Sequence, residues 1–129
     1  LPQTLLQKLN LKPGWSLGVL HTPPEVFALL QQSLPEVTVG GIVAEKSESA
    51  LIFLRSLAEV HAMLPDFFSR MASTPVVWLA YPKGSSGVVT DINRDILWKE
   101  IAPMGWHPVR QVALDEVWSA LRFMPNKPE

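Results

Sequence analysis

Lys83-Gly84-Ser85-Ser86-Gly87 is the stretch of this chain whose residue types most readily suggest chemistry. It leaves the apolar run Pro75 to Tyr81, and its glycines free backbone N–H groups to turn toward an anion. Ser85 and Ser86 add hydroxyls, and Lys83 adds an ammonium. The order is not a Walker A loop, because the lysine precedes the glycines. The competing reading is a surface turn whose serines bond their own backbone. Asp91, Arg94 and Asp95 come next, at a helix start. Two carboxylates beside a guanidinium suit a polar ligand or acid–base work. The first helical turn also favours acids through the helix dipole, so pairing with Arg94 explains the cluster without a function. His21 follows the first apolar run, at the edge where open α/β sheets place ligands. It is a candidate base or ligand donor, although no partner stands at catalytic spacing in sequence.

Other residues carry less. His61 falls among apolar residues of a helical stretch and His107 beside Trp106, so the three histidines are too scattered for a zinc site. The chain has no cysteine, which removes disulfides, thiolate metal sites and cysteine nucleophiles. Ser85, Ser86 and Ser119 lack the G-x-S-x-G setting of a nucleophile elbow. Trp98, Trp106 and Trp118 suit a pocket wall, a core or an interface. Arg122 shares a strand face with Trp118 and Ala120, where it could stack on the indole or sit at the sheet edge.

These residues need a scaffold. Leu5, Leu6 and Leu9 suggest a short helix, closed by the Pro13-Gly14 turn. Trp15 to Leu20 reads as a first strand. Thr22-Pro23-Pro24-Glu25 reads as a helix start, with Thr22 the cap and Pro23 the first helical residue. Phe27, Leu30 and Leu34 continue a helical stripe. Val37 to Val39 predicts a second strand and Ala50 to Leu54 a third. Ser56 and Glu59 open another helix through Leu57, Val60 and Leu64, which Pro65 should kink or restart before Phe68 and Met71. Pro75 to Tyr81 is apolar on both faces, as in a buried parallel strand. A helix from about Asn93 to Met104 stops at Gly105. Trp106 to Ala113 and Val117 to Met124 then form a hairpin across Leu114-Asp115-Glu116. Alternating strands and helices predict a three-layer open, mostly parallel sheet of five or six strands, Rossmann-like, with a C-terminal antiparallel hairpin.

Length and composition agree with this frame. The 129 residues suit a single domain, with residues 1–12 as an N-terminal helix and 125–129 as a flexible tail. Charged residues are only 18%, so neighbouring elements or a partner should cover much of the surface. Net charge is -1, which argues against a protein that coats nucleic acid but leaves room for a local basic patch. No run approaches the roughly 20 apolar residues of a membrane span. Residues Leu1 to Leu11 do not read as a signal peptide, so the expected location is the cytoplasm. The chain starts with Leu, which leaves a preceding segment open. The weakly charged terminal strand is a candidate homodimer surface.

In the second half, Tyr81-Pro82-Lys83-Gly84-Ser85-Ser86, Thr90-Asp91 with Arg94-Asp95, Gln111-Val112-Ala113 and Trp118-Ser119-Ala120-Leu121-Arg122-Phe123 together form a pattern. It resembles an uncharacterised family of small bacterial proteins, the domain of unknown function numbered 3052. The likeness begins at Leu11-Lys12-Pro13-Gly14 and is most specific from Trp78 to Phe123. It implies a methyltransferase-like fold, brings no accepted activity and assigns no catalytic residue. Two departures weigh against ordinary S-adenosylmethionine binding. The turn after the first strand is stiffened by Pro23-Pro24 where glycines are usual, and the second strand ends in Val39-Gly40-Gly41 without an acid for the ribose.

The expected function is therefore a non-catalytic domain that binds a partner or a small anionic ligand, with His21, Lys83, Ser85, Ser86, Asp91 and Arg94 as its expected contacts. The alternative is a small S-adenosylmethionine-dependent methyltransferase with a divergent cofactor site. No metal, nucleic acid or membrane partner is expected.

Overall fold

The computed structural model describes residues 4–41, 47–71 and 73–126. Hydrophobic patterning explains its layers. β4 (Val76–Pro82) is buried throughout, and successive side chains of a strand point to opposite faces. Val76, Trp78 and Ala80 enter one core and Val77, Leu79 and Tyr81 the other. β3 (Ser49–Phe53), also buried at every position, is divided in the same way. Such strands require cover on both sides. α1 (Leu5–Lys8) and α2 (Pro24–Ser33) lie with the first core, through residues such as Leu6 and Leu30. α3 (Leu57–Arg70) and α4 (Arg94–Ile101) cover the second, through Leu64, Phe68, Leu97 and Ile101. Trp78 also anchors the amino-terminal segment, its indole Nε1 donating to the buried carbonyl of Leu9 at 3.0 Å.

The strands β1 (Ser16–Leu20), β2 (Thr38–Gly41), β3, β4, β5 (Trp106–Ala113) and β6 (Trp118–Pro125) form one sheet in the order β2-β1-β3-β4-β6-β5. The first four in that order are parallel, with Leu17 opposite both Val39 and Ser49, and Ala50 opposite Val77. β6 runs antiparallel between β4 and β5, with Leu79 opposite Leu121 and Ala120 opposite Val112. The mostly parallel sheet, its flanking helices and the terminal hairpin match the architecture expected from sequence.

The chain leaves β1 for β2 on one side and returns to β3 on the other. The strand order therefore reverses between β1 and β3, and the carboxyl ends of these two strands are where open α/β sheets place a ligand crevice.

Two local expectations are corrected and one is narrowed. The cap of α2 is Pro23, not Thr22, and it makes no side-chain bond. A residue before proline is excluded from helical geometry, so Pro24 holds Pro23 extended at φ -60° and ψ 140°, and the helix starts one residue later. Of the kink or restart expected at Pro65, the restart does not occur, since α3 runs unbroken from Leu57 to Arg70. The proline's missing N–H costs one bond to the His61 carbonyl, while buried Leu64, Phe67 and Phe68 hold the helix on the sheet. β2 spans Thr38 to Gly41 instead of Val37 to Val39, because its parallel ladder with β1 pairs Gly40 with Gly18 and Gly41 with Val19.

Candidate functional site

Three segments meet over the crevice. The first is the turn out of β1. His21 adopts φ 64°, a left-handed conformation that costs a non-glycine residue about 1–3 kcal/mol. Thr22 follows, and its Oγ1 is buried without a hydrogen-bond partner.

The second segment joins β3 to α3. Ser56 caps α3 by accepting from Glu59 N at 3.2 Å, and Glu59 Oε1 reaches back to accept from Arg55 N at 2.5 Å. That return bond fixes the Glu59 carboxylate at the mouth, where its Oε2 lies 3.4 Å from His21 Nδ1. The Arg55 guanidinium crosses the crevice. Its Nη2 donates to the His21 carbonyl at 3.4 Å, and its Cζ lies 5.4 Å from the Trp118 ring centroid.

The third segment joins β4 to α4. Asp91 Oδ1 accepts from Leu57 N at 2.7 Å, and Thr90 Oγ1 donates to the Arg55 carbonyl at 2.7 Å. These two bonds lash the loop to the start of α3. This region thus gathers the Arg55 guanidinium, the carboxylates of Glu59 and Asp91 and the His21 imidazole at rigid element ends beside the Trp118 ring, with the unsatisfied Thr22 hydroxyl buried in the turn after β1.

The sequence candidates separate in space. His21 and Asp91 reach the crevice, although Asp91 serves there by satisfying a helix N–H. Lys83 points elsewhere, its Nζ donating to the Asp115 carbonyl at 2.5 Å in the β5–β6 turn. Ser86 Oγ donates to the Lys83 carbonyl at 2.6 Å and accepts from Val88 N at 3.2 Å. Ser85 is exposed in the short 3-10 turn Gly84–Ser86, which Gly87 closes at φ 79°. Arg94 lies on α4, where its Nε is 3.6 Å from Asp95 Oδ1, both side chains largely exposed.

Arg122 does not stack on Trp118, since Arg55 takes that place. Arg122 lies opposite Arg110 and its Nη2 donates to the Pro75 carbonyl at 3.4 Å. Burial first, and the neighbouring Arg110 charge second, pull the Arg122 guanidinium below its usual range. His61 pairs with Glu100 at 2.9 Å and His107 Nδ1 lies 2.7 Å from Asn126 Oδ1. Among the described residues no group of three or more His, Asp or Glu side chains could hold a metal ion.

Sequence reasoning missed Arg55, and it assigned Glu59 and Thr22 to capping alone. The signal for Arg55 was present. It follows the apolar run Ala50 to Leu54 directly, the same positional argument that singled out His21 and Lys83.

No family model and no curated protein matches the chain, so nothing beyond the fold supports the likeness to the family numbered 3052. Solved structures do match. A protein of the NADB-Rossmann superfamily from Streptococcus agalactiae superposes with a TM-score of 0.57 at 11% identity, over 100% of this chain and 70% of that one. The B. subtilis M1A22 tRNA methyltransferase TrmK gives 0.54 at 10% identity, over 98% and 67%. The 16S rRNA (adenine(1408)-N(1))-methyltransferase of Catenulisporales acidiphilia gives 0.53 at 13% identity, over 91% and 87%. At these identities the likeness establishes a Rossmann, methyltransferase-like fold.

Proposed function

We propose that the chain binds S-adenosylmethionine in the crevice between β1 and β3 and acts as a methyltransferase. The observation that carries this reading is the convergence of Arg55, Glu59 and the unpaired Thr22 hydroxyl at the switch point. Two of the superposed folds are methyltransferases, which favours this reading over a silent binding domain.

The residues fit the amino-acid end of such a cofactor. Arg55 offers a guanidinium to a carboxylate, and Glu59 offers a carboxylate to an ammonium. Thr22 Oγ1 offers a hydrogen bond that the protein itself leaves unused. The fit is poorer at the ribose end, since β2 closes on Gly40 and Gly41. The bound cofactor supplies an electrophilic methyl group. His21, beside Glu59, then stands where it can take a proton from a methyl acceptor, and Trp118 shields one wall from water.

Thermal melting and calorimetry with S-adenosylmethionine, S-adenosylhomocysteine, nucleotides and phosphate test the proposal. A ligand at a hundredfold excess over Kd stabilises by about 2.7 kcal/mol. A shift with the first two, lost in Arg55→Ala, is the expected result. No shift with either would refute it.

A second reading keeps a specific observation. The turn after β1 carries His21 and two prolines where glycines would let a backbone approach the ligand. Binding of S-adenosylmethionine without methyl transfer to any acceptor would favour a non-catalytic domain. An anion held by Lys83 belongs to this reading, and a phosphate shift lost in Lys83→Ala is its signature.

A further inference from the structure

The contact between His21 and Glu59 is set up from one side. Glu59 Oε1 is committed to Arg55 N, which aims the carboxylate and leaves Oε2 facing His21 Nδ1 at 3.4 Å. That separation is longer than a formed hydrogen bond, as pairs in unliganded sites commonly are before they tighten. The main chain of His21 is held from the same segment, because Arg55 Nη2 donates to its carbonyl. The start of α3 therefore fixes both the backbone and the ring of a residue in the left-handed region.

An ionised carboxylate only accepts hydrogen bonds, so the imidazole nitrogen that faces Glu59 is the one that carries the proton. Nε2 is then the basic nitrogen. Among the described residues no polar group meets Nε2, and the side chain is 43% exposed, so a ligand can reach it. Glu59 keeps room for the ammonium of a cofactor, since a carboxylate offers about four acceptor positions and these two contacts use only part of them.

A carboxylate, an imidazole held by it and an open Nε2 make a positioned base. Such a base is wasted on an acceptor whose lone pair is already free, such as a purine ring nitrogen. A hydroxyl needs it, because the oxygen must lose its proton as it is alkylated. Among hydroxyls a phenol suits an imidazole, its pKa of about 10 lying far below that of an alcohol. Resting on the reading of the crevice as an S-adenosylmethionine site, we infer that the methyl acceptor is an acidic hydroxyl of the phenol class, with His21 Nε2 as its base and Glu59 as the positioning residue. The acceptor oxygen bonds to the methyl carbon, the bond from that carbon to sulfur breaks with its electron pair kept by sulfur, and the hydroxyl proton passes to Nε2.

The first test uses the protein without cofactor. Proton–nitrogen correlation spectra of the histidine rings, at a pH where they are neutral and with His21→Gln to assign the signal, report which nitrogen is protonated. His21 should carry its proton on Nδ1. In Glu59→Gln the amide oxygen keeps the bond from Arg55 N, so the amide nitrogen faces Nδ1 as a donor and the proton should move to Nε2. A merely structural role for Glu59 would leave the tautomer unmoved. The second test adds cofactor. His21→Gln should bind S-adenosylmethionine in calorimetry as the wild type does, while methyl transfer to phenol and catechol falls about a hundredfold to ten-thousandfold. A wild-type proton on Nε2, or one on Nδ1 that Glu59→Gln does not move, would overturn the inference. So would faster transfer to adenosine than to the two phenols, transfer to them that His21→Gln leaves intact, or cofactor binding with no transfer to either. Failure of S-adenosylmethionine to bind is a separate result, read in the calorimetry alone, and it removes the crevice reading together with the acceptor assigned to it.

Discussion

Thr22→Val isolates the unpaired hydroxyl at the crevice. The two side chains share a shape and differ by one polar group, so packing is preserved. Thr22 Oγ1 is buried without a partner, and leaving such a group unsatisfied costs about 1–3 kcal/mol. Replacing it with a methyl should return most of that cost to the unliganded protein. For 129 residues the entropy of unfolding is about 270 cal/mol/K, taken from about 2.1 per residue, so each kcal/mol raises Tm by roughly 4 °C. Thr22→Val should therefore melt about 4–10 °C above the wild type. The same variant should bind S-adenosylmethionine about fivefold or more weakly, because the ligand loses a hydrogen bond. Differential scanning calorimetry with and without ligand reads both effects. A variant that melts at or below the wild-type temperature would show that the hydroxyl is already satisfied. Stabilisation with unchanged affinity would leave the orphan group without a role in binding.

Further outcomes follow from the same contacts. Arg55→Ala removes a cation–π contact and one long hydrogen bond, and should cost less than about 1 kcal/mol in urea unfolding while weakening the crevice ligand about tenfold or more. Pro65→Ala restores the N–H that His61 lacks as a partner on an exposed face of α3, and should raise stability by about 1–3 kcal/mol in the same assay; a loss would assign the proline a packing role. Glu48 accepts from Ser16 N and Oγ, both at 2.8 Å, and these bonds, the backbone one first, hold its carboxyl below the usual glutamate range. Its contribution is therefore complete above the ordinary glutamate value and is lost as pH falls through the lowered one. Glu48→Gln should flatten that acid-side decline in stability measured against pH, and an unchanged profile would remove Ser16 as the cause.

Sequence pattern alone determined the layers of this protein. Runs such as Val76 to Tyr81 are apolar at every position, which forces burial on both faces and hence helices on both sides. The hairpin across Leu114 to Glu116 was equally legible, and Asp115 Oδ1 fastens it by accepting from Val117 N and Trp118 N. Local chemistry misled at Thr22, where two consecutive prolines moved the helix start by one residue. What only the tertiary structure decided was which side chains share a site. Lys83 lies in a suggestive loop yet spends its ammonium on the Asp115 carbonyl. Arg55, marked in sequence only by its place after an apolar run, meets His21 across 34 residues and Trp118 from the far end of the chain. Periodicity records the burial of each element, a local property. Convergence depends on strand order and on the direction switch beside β1, which no spacing along the chain encodes.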